Sequence, residues 1–260
     1  MNVQTIRTWN EIDSLSGEWG GLLERSCAPS IFLSREWIRA WRSTIGDAVS
    51  PYVVTVRDSN EQLVGLAPLY EASVRLLGTL DLRTLRFMAD VATGSEYPDW
   101  IVDRDVENEV NLQIARELRR NSQDWDIIWL PKVSGWTNAE TRIAKAAEEA
   151  GLSVRMRKCE FSAAELPSRM ADFEAGFAAR RRQQMRRNNR KIGKIDGIEF
   201  VRCQNLGELP EFLDALFDLH QRRWEDVGID GCFKRKPVEK RFYREFAPVA
   251  FENGWLALFG

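Results

Sequence analysis

Residues 177–195, reading FAARRRQQMRRNNRKIGKI, carry eight arginines and lysines and no acid. Charges this dense and of one sign repel one another unless water or an anionic ligand surrounds them. Rolled as an α-helix, the stretch places Phe177, Met185, Ile192 and Ile195 within one third of the wheel. Arg180, Arg182, Arg186, Arg187, Arg190 and Lys194 fall on the opposite half. The whole chain has a formal net charge of −2, so without these eight cations it would stand at −10. The positive field is therefore concentrated in one place on an otherwise acidic protein. Two readings are open: a solvated helix face, or a site that attracts a phosphate-rich or other anionic ligand.

A chain of 260 residues can hold one large domain or two of ordinary size. At 44% hydrophobic and 29% charged residues it has the means to build a core. No apolar run approaches the roughly 20 residues that a membrane span requires. The N-terminus lacks a basic, then apolar, leader, and the four cysteines (Cys27, Cys159, Cys203, Cys232) are far apart. A cytoplasmic protein with reduced thiols is the expectation. With one histidine and no C-x-x-C pair, a Cys/His metal cluster is excluded.

Periodicity predicts a strand over 3–7, then a helix capped by Asn10 with Ile12, Leu15, Trp19, Leu22 and Leu23 at helical spacing. A second helix follows over 35–44, capped by Ser34 and closed by Gly46. Segments 52–57 and 63–70, joined by DSNEQ, predict an antiparallel hairpin. Pro68 there suits an edge or a bulge. Further strands are predicted at 74–77, 84–88, 100–102 and 152–156, and helices over 106–120 and 138–150. The run WDIIWL (125–130) has the pattern of a central strand buried on both faces. The order implies an α/β fold (α+β, mixed sheet) over residues 1–162, with a polar linker at 162–167. A second unit, 168–260, holds the cationic helix, a strand at 198–203, an amphipathic helix over 209–225, a helix over 240–252 and a strand at 255–259. Its sheet is incomplete at residue 260.

Walker A, G-x-G-x-x-G, H-E-x-x-H and G-x-S-x-G motifs are all missing. His220, the sole histidine, shares a helix face with Leu213, Leu216 and Trp224. It serves either as a core residue or as a general base. Arg223 lies near that face, where an inward guanidinium needs an anionic partner. Glu96, Tyr97, Asp99 and Trp100 form an acidic–aromatic loop, either an ordinary surface loop or a contact for a substrate amine or hydroxyl. RKIGKI (190–195) has only a chance likeness to an acetyltransferase phosphate loop, because it precedes a strand instead of opening a helix. Nucleic acid is disfavoured by the net charge and by the lack of any reader module.

The segments IFLSREWIRAW, LVGLAPLY, YPDWIV, WDIIWLPKVS, the RRRQQMRRNNRKI block and LDALFDLHQRRWEDVGIDGCF occur in this order. From about residue 19 to 260 the chain thereby resembles GNAT-superfamily acetyltransferases of the cellulose-biosynthesis-type (BioF2-like) group. That group is similar in architecture to the Fem-type aminoacyl ligases, with two GNAT-like halves in tandem. The resemblance implies one complete GNAT-like half over 1–162 and an incomplete, C-terminally truncated one over 168–260, without the usual loop for the CoA pyrophosphate. It also implies acyl transfer from acetyl-CoA or another acyl-CoA to an amine or hydroxyl of a small or saccharide-linked acceptor, in exopolysaccharide or envelope synthesis. On this view His220 is the candidate base. Arg180, Arg182, Arg186, Arg187, Arg190, Arg223, Trp224, Tyr97 and Asp99 are candidates for binding substrate or an anion. A non-catalytic module for an anionic or lipid-linked saccharide, and aminoacyl transfer from tRNA, are the alternatives.

Overall fold

The computed structural model describes residues 1–45, 49–76, 78–160 and 166–260. Gly46, Leu77 and most of the 162–167 linker lie outside the described residues, and with them the expected helix stop, strand end and unit boundary.

The sheet grows from the predicted hairpin. β2 (Ser50–Arg57) and β3 (Leu63–Leu76) pair antiparallel around the Asp58 turn, whose carboxylate accepts from the N–H groups of Asn60 and Gln62. β1 (Asn2–Ile6) adds to β2, and β4 (Leu80–Phe87) to β3, both antiparallel. β5 (Ile101–Val102) pairs with the start of β3 and β6 (Ile127–Ile128) runs parallel to β4, so the sheet is mixed, as expected.

Pro68 sits in the middle of this sheet, not at an edge. Its carbonyl accepts from Met88 N–H, so its missing N–H would point to the same side. That is where β3 changes outer partner, from β5 at Gly65 and Leu66 to β4 from Leu69 onward. No ladder bond is lost, and the strand runs on to Leu76, into the segment predicted as a separate one.

WDIIWL departs from expectation. Only Ile127 and Ile128 pair, at the end of the sheet, with Ile127 44% and Trp129 49% exposed. An apolar run alone cannot tell a strand covered on both faces from one with a single neighbour. Trp129 is instead covered by the Arg86 guanidinium, 4.8 Å from its ring centre. Residues 152–156 form no strand. Segments 198–203 and 255–259 meet antiparallel but reach only one bridge, Arg202 to Phe259, with Val201 and Gly260 exchanging backbone bonds.

Helices flank both faces. α1 (Trp9–Ser14), capped by Thr8 and not Asn10, then α2 (Ser16–Arg25) and α3 (Arg35–Ile45) bury Ile12, Trp19, Leu22, Trp37 and Trp41 against one face. Ser34 caps α3 as predicted, accepting from Trp37 N–H at 3.2 Å. α4 (Glu107–Arg120) and α5 (Ala139–Glu149) bury Val110, Ile114, Leu118 and Ile143 on the other. After short α6 (Met170–Ala175) come α7 (Ala179–Ile192), α8 (Leu209–Glu225), α9 (Cys232–Arg235) and α10 (Pro237–Glu252). α10 joins two cores. Phe242, Phe246 and Ala250 enter the core of α1–α3, while Ala247 closes a third core with Leu209, Leu213, Phe217 and Phe233.

α4 lies close on β3 because Gly65 has no side chain: a Cβ there would stand 2.2 Å from Val110 Cγ1. Gly65→Ala should therefore destabilise the fold by about 2 kcal/mol through overpacking. A lowered urea midpoint at unchanged m would show it, and an unmoved midpoint would refute it.

Candidate functional site

The third core ends in a polar cluster. Gly228, at φ 77°, closes α8 with its N–H bonded to Glu225 O and Ile229 N–H to Trp224 O. The turn brings Gly231 back onto the His220 ring, so near that a Cβ would lie 2.9 Å from Nδ1. Trp224 Nε1–H donates to His220 Nε2 at 3.0 Å, and Cys232 Sγ lies 3.5 Å from the same nitrogen. Phe233 packs edge-on to His220 at 4.7 Å and to Phe217 at 4.7 Å. Glu239, on the first turns of α10, is buried beside Cys232 and reaches Lys236 Nζ at 3.4 Å. Burial, and then the Glu239 carboxylate, raise the Cys232 thiol above its ordinary value. The same two causes and Cys232 raise the Tyr243 phenol. Both groups stay protonated at neutral pH.

Tyr243 ties this cluster to the sheet half, its hydroxyl donating to Thr93 O at 3.1 Å. Thr93 belongs to the 89–100 loop, in which Ala89, Ala92 and Tyr97 hold φ of 61°, 65° and 55°. Left-handed backbone at such residues costs on the order of 1 kcal/mol each and persists only where neighbours enforce it. Here Thr93 Oγ1 donates to Ala89 O, Ser95 N–H donates to Thr93 Oγ1, and Trp37 Nε1–H donates to Ser95 Oγ.

The structure sorts the sequence candidates into three places. His220 and Trp224 meet in the cluster. Arg223, expected to point inward, is exposed and has no ion pair among the described residues, because the buried face of α8 is Leu209, Leu213 and Phe217. Tyr97 is half-buried in the strained loop. Asp99 lies inside: 1% exposed, it binds Arg142 Nη2 at 2.7 Å and accepts from Trp100 N–H. Arg142 also reaches Glu107 at 2.9 Å. Asp99 is thus an enclosed, ion-paired carboxylate and not part of an exposed loop surface.

Arg180, Arg182, Arg186, Arg187 and Arg190 line α7, none of whose residues is buried. The helix is shorter than the predicted stretch, so Phe177 and Ile195 fall outside it. Arg182 and Arg190 donate to carbonyls of their own neighbourhood, Phe177 O and Arg186 O. Among the described residues none of the eight cations pairs with a carboxylate. Cys232, Glu239, Tyr243 and Arg142 were not singled out by sequence reasoning; the i, i+4 spacing of Glu239 and Tyr243 on one helix was the only local signal. Among the described residues no group of three or more His, Cys, Asp or Glu could hold a metal ion, and no helix is long and apolar enough to cross a membrane.

Residues 178–260, which span α7 and the His220 cluster, match the family model for the acetyltransferase (GNAT) domain. No curated protein matches the sequence. Likeness to solved structures is faint. A mutant BH1408 protein from Bacillus halodurans aligns at 16% identity over 63% of this chain and 100% of its own, TM-score 0.37. An aminoglycoside antibiotic 6'-N-acetyltransferase from Acinetobacter baumannii aligns at 10% over 63% and 99%, TM-score 0.36. Glucosamine-6-phosphate N-acetyltransferase from Arabidopsis thaliana aligns at 10% over 62% and 99%, TM-score 0.32. Scores this low do not establish a shared fold.

Burial outweighs the attraction of Arg142 and raises Asp99 from 3.8 to about 6. Its contribution to stability is then fully present below about pH 3.8 and lost as pH rises through about 6. The unfolding free energy of the wild type should fall across that window relative to Asp99→Asn. Parallel pH curves from urea unfolding would show that Asp99 does not titrate there.

Proposed function

We propose that the chain is an N-acyltransferase of the GNAT type, moving an acyl group from an acyl-CoA to an amine or hydroxyl. The observation that carries this reading is the match of the acetyltransferase domain to 178–260, the segment that also assembles His220, Cys232, Glu239 and Tyr243. In the same proposal the chain divides near 162–168 into two GNAT-like halves, with α10 packed into both. The acceptor is a small or saccharide-linked molecule, as in exopolysaccharide or envelope synthesis. An acyl-CoA donor places the reaction in the cytoplasm, where that donor is made.

The donor set of α7 fits the charge of such a ligand. CoA carries a pyrophosphate and a further phosphate, and Arg186, Arg187 and Arg190 offer guanidinium forks without competing carboxylates. Bound there, the donor would supply an acyl group already activated as a thioester. The chain's own task is to position the acceptor, to keep water out and to hold the proton that the attacking amine loses. Glu239 is the group of the cluster able to hold it, since the one basic nitrogen of His220 already accepts from Trp224. Tyr243, kept as a phenol, uses its one O–H to donate to Thr93 O and so holds the cluster against the sheet half.

The exposure of α7 favours a second reading, a module that binds an anionic or lipid-linked saccharide without catalysis. Aminoacyl transfer from tRNA would use the same cations.

Calorimetric titration with acetyl-CoA and CoA separates these. The expectation is saturable binding in the micromolar range, weakened at least about tenfold (~1.4 kcal/mol) by Arg186→Ala with Arg187→Ala. Silence with both ligands would remove the acyl-CoA reading and leave the binding module.

A further inference from the structure

We propose that Trp224 is a positioning residue that fixes His220 in the Nδ1–H tautomer and keeps the imidazole's single lone pair from the Cys232 thiol. The indole N–H can only donate. It lies 3.0 Å from His220 Nε2, so Nε2 must accept and the proton of the neutral ring sits on Nδ1. Nδ1 is buried and has no partner among the described residues, and Gly231 covers it. The groups facing the ring are Trp224 on its own helix, Cys232 and Phe233 on α9, and Glu239 and Tyr243 behind them on α10. Arg222 and Glu225, the charged neighbours on α8, are turned to solvent in pairs with Asp218, Gln221 and Lys234.

Cys232 would need that same lone pair to become a nucleophile. A covalent route would pass its S–H proton to Nε2, form a C–S bond to the acyl carbon and expel the CoA thiolate, which would take the proton back. With Trp224 in place Nε2 is already engaged, and the neighbouring Glu239 opposes a thiolate. His220 is therefore left with its Nδ1–H covered by Gly231, and the acyl group passes directly from donor to acceptor. This last consequence rests on the acyltransferase reading; the tautomer does not.

One histidine in the chain makes the test direct. Long-range proton–nitrogen NMR on the full chain labelled with nitrogen-15 in histidine reports His220 alone. At about pH 8 the wild type should show a protonated Nδ1 and an unprotonated Nε2. Trp224→Phe keeps a ring in place but removes the donor, and should shift the pattern toward the Nε2–H form that free histidine favours. A wild-type Nε2–H pattern overturns the proposal without any variant. So does a Trp224→Phe spectrum that stays Nδ1–H. If the variant does not fold, the wild-type spectrum still decides the tautomer. Peptide mass mapping after incubation with acetyl-CoA should find no acetyl group on Cys232, and a stoichiometric adduct would overturn direct transfer. Calorimetric silence toward acetyl-CoA would sink the acyltransferase reading and leave the tautomer standing.

Discussion

Trp37 seats the last helix against the first core. Its ring, buried on α3, meets Phe242 and Phe246 of α10 at centroid distances of 4.6 and 4.7 Å, and its indole N–H holds Ser95. Aromatic pairs of this kind contribute about 0.5–1.5 kcal/mol each beyond the area they bury. One side chain thereby seats the last helix in the first core and pins the strained 89–100 loop. Everything at the His220 cluster follows, because α10 also carries Glu239 and Tyr243 and closes over α8 and α9.

Charge is distributed by the same logic. Carboxylates that enter the interior bring their partners: Asp99 with Arg142, Asp90 with Arg86 and Tyr70. Burial still raises both acids, so these pairs fix geometry more than they add stability. Among the described residues the cations of α7 have no such partners, and none of them is buried. A helix so charged gains little from the core.

Much of the fold was legible. The hairpin, the cap at Ser34, and the helices over 107–120, 139–149 and 209–225 follow from local signals that tertiary packing only reinforced. WDIIWL was misread because hydrophobicity reports a preference for burial and not how many neighbours a strand will find. Asp99 was misread for a related reason. An acid beside aromatics looks like a surface contact until a guanidinium 43 residues away, Arg142, is seen to enclose it.

By itself the sequence determined where most of the longer helices lie, and that one histidine stands on an apolar face next to Trp224. Those are short-range properties, set by spacing and propensity. Only the tertiary structure decided what that histidine can do. A donor-only indole one turn along the same helix faces one ring nitrogen, while a thiol 12 residues on and a glycine whose missing side chain lets the chain close over the ring are brought there by the fold. Hydrogen-bond direction is fixed by atoms within ~3.5 Å, and folding alone brings them there.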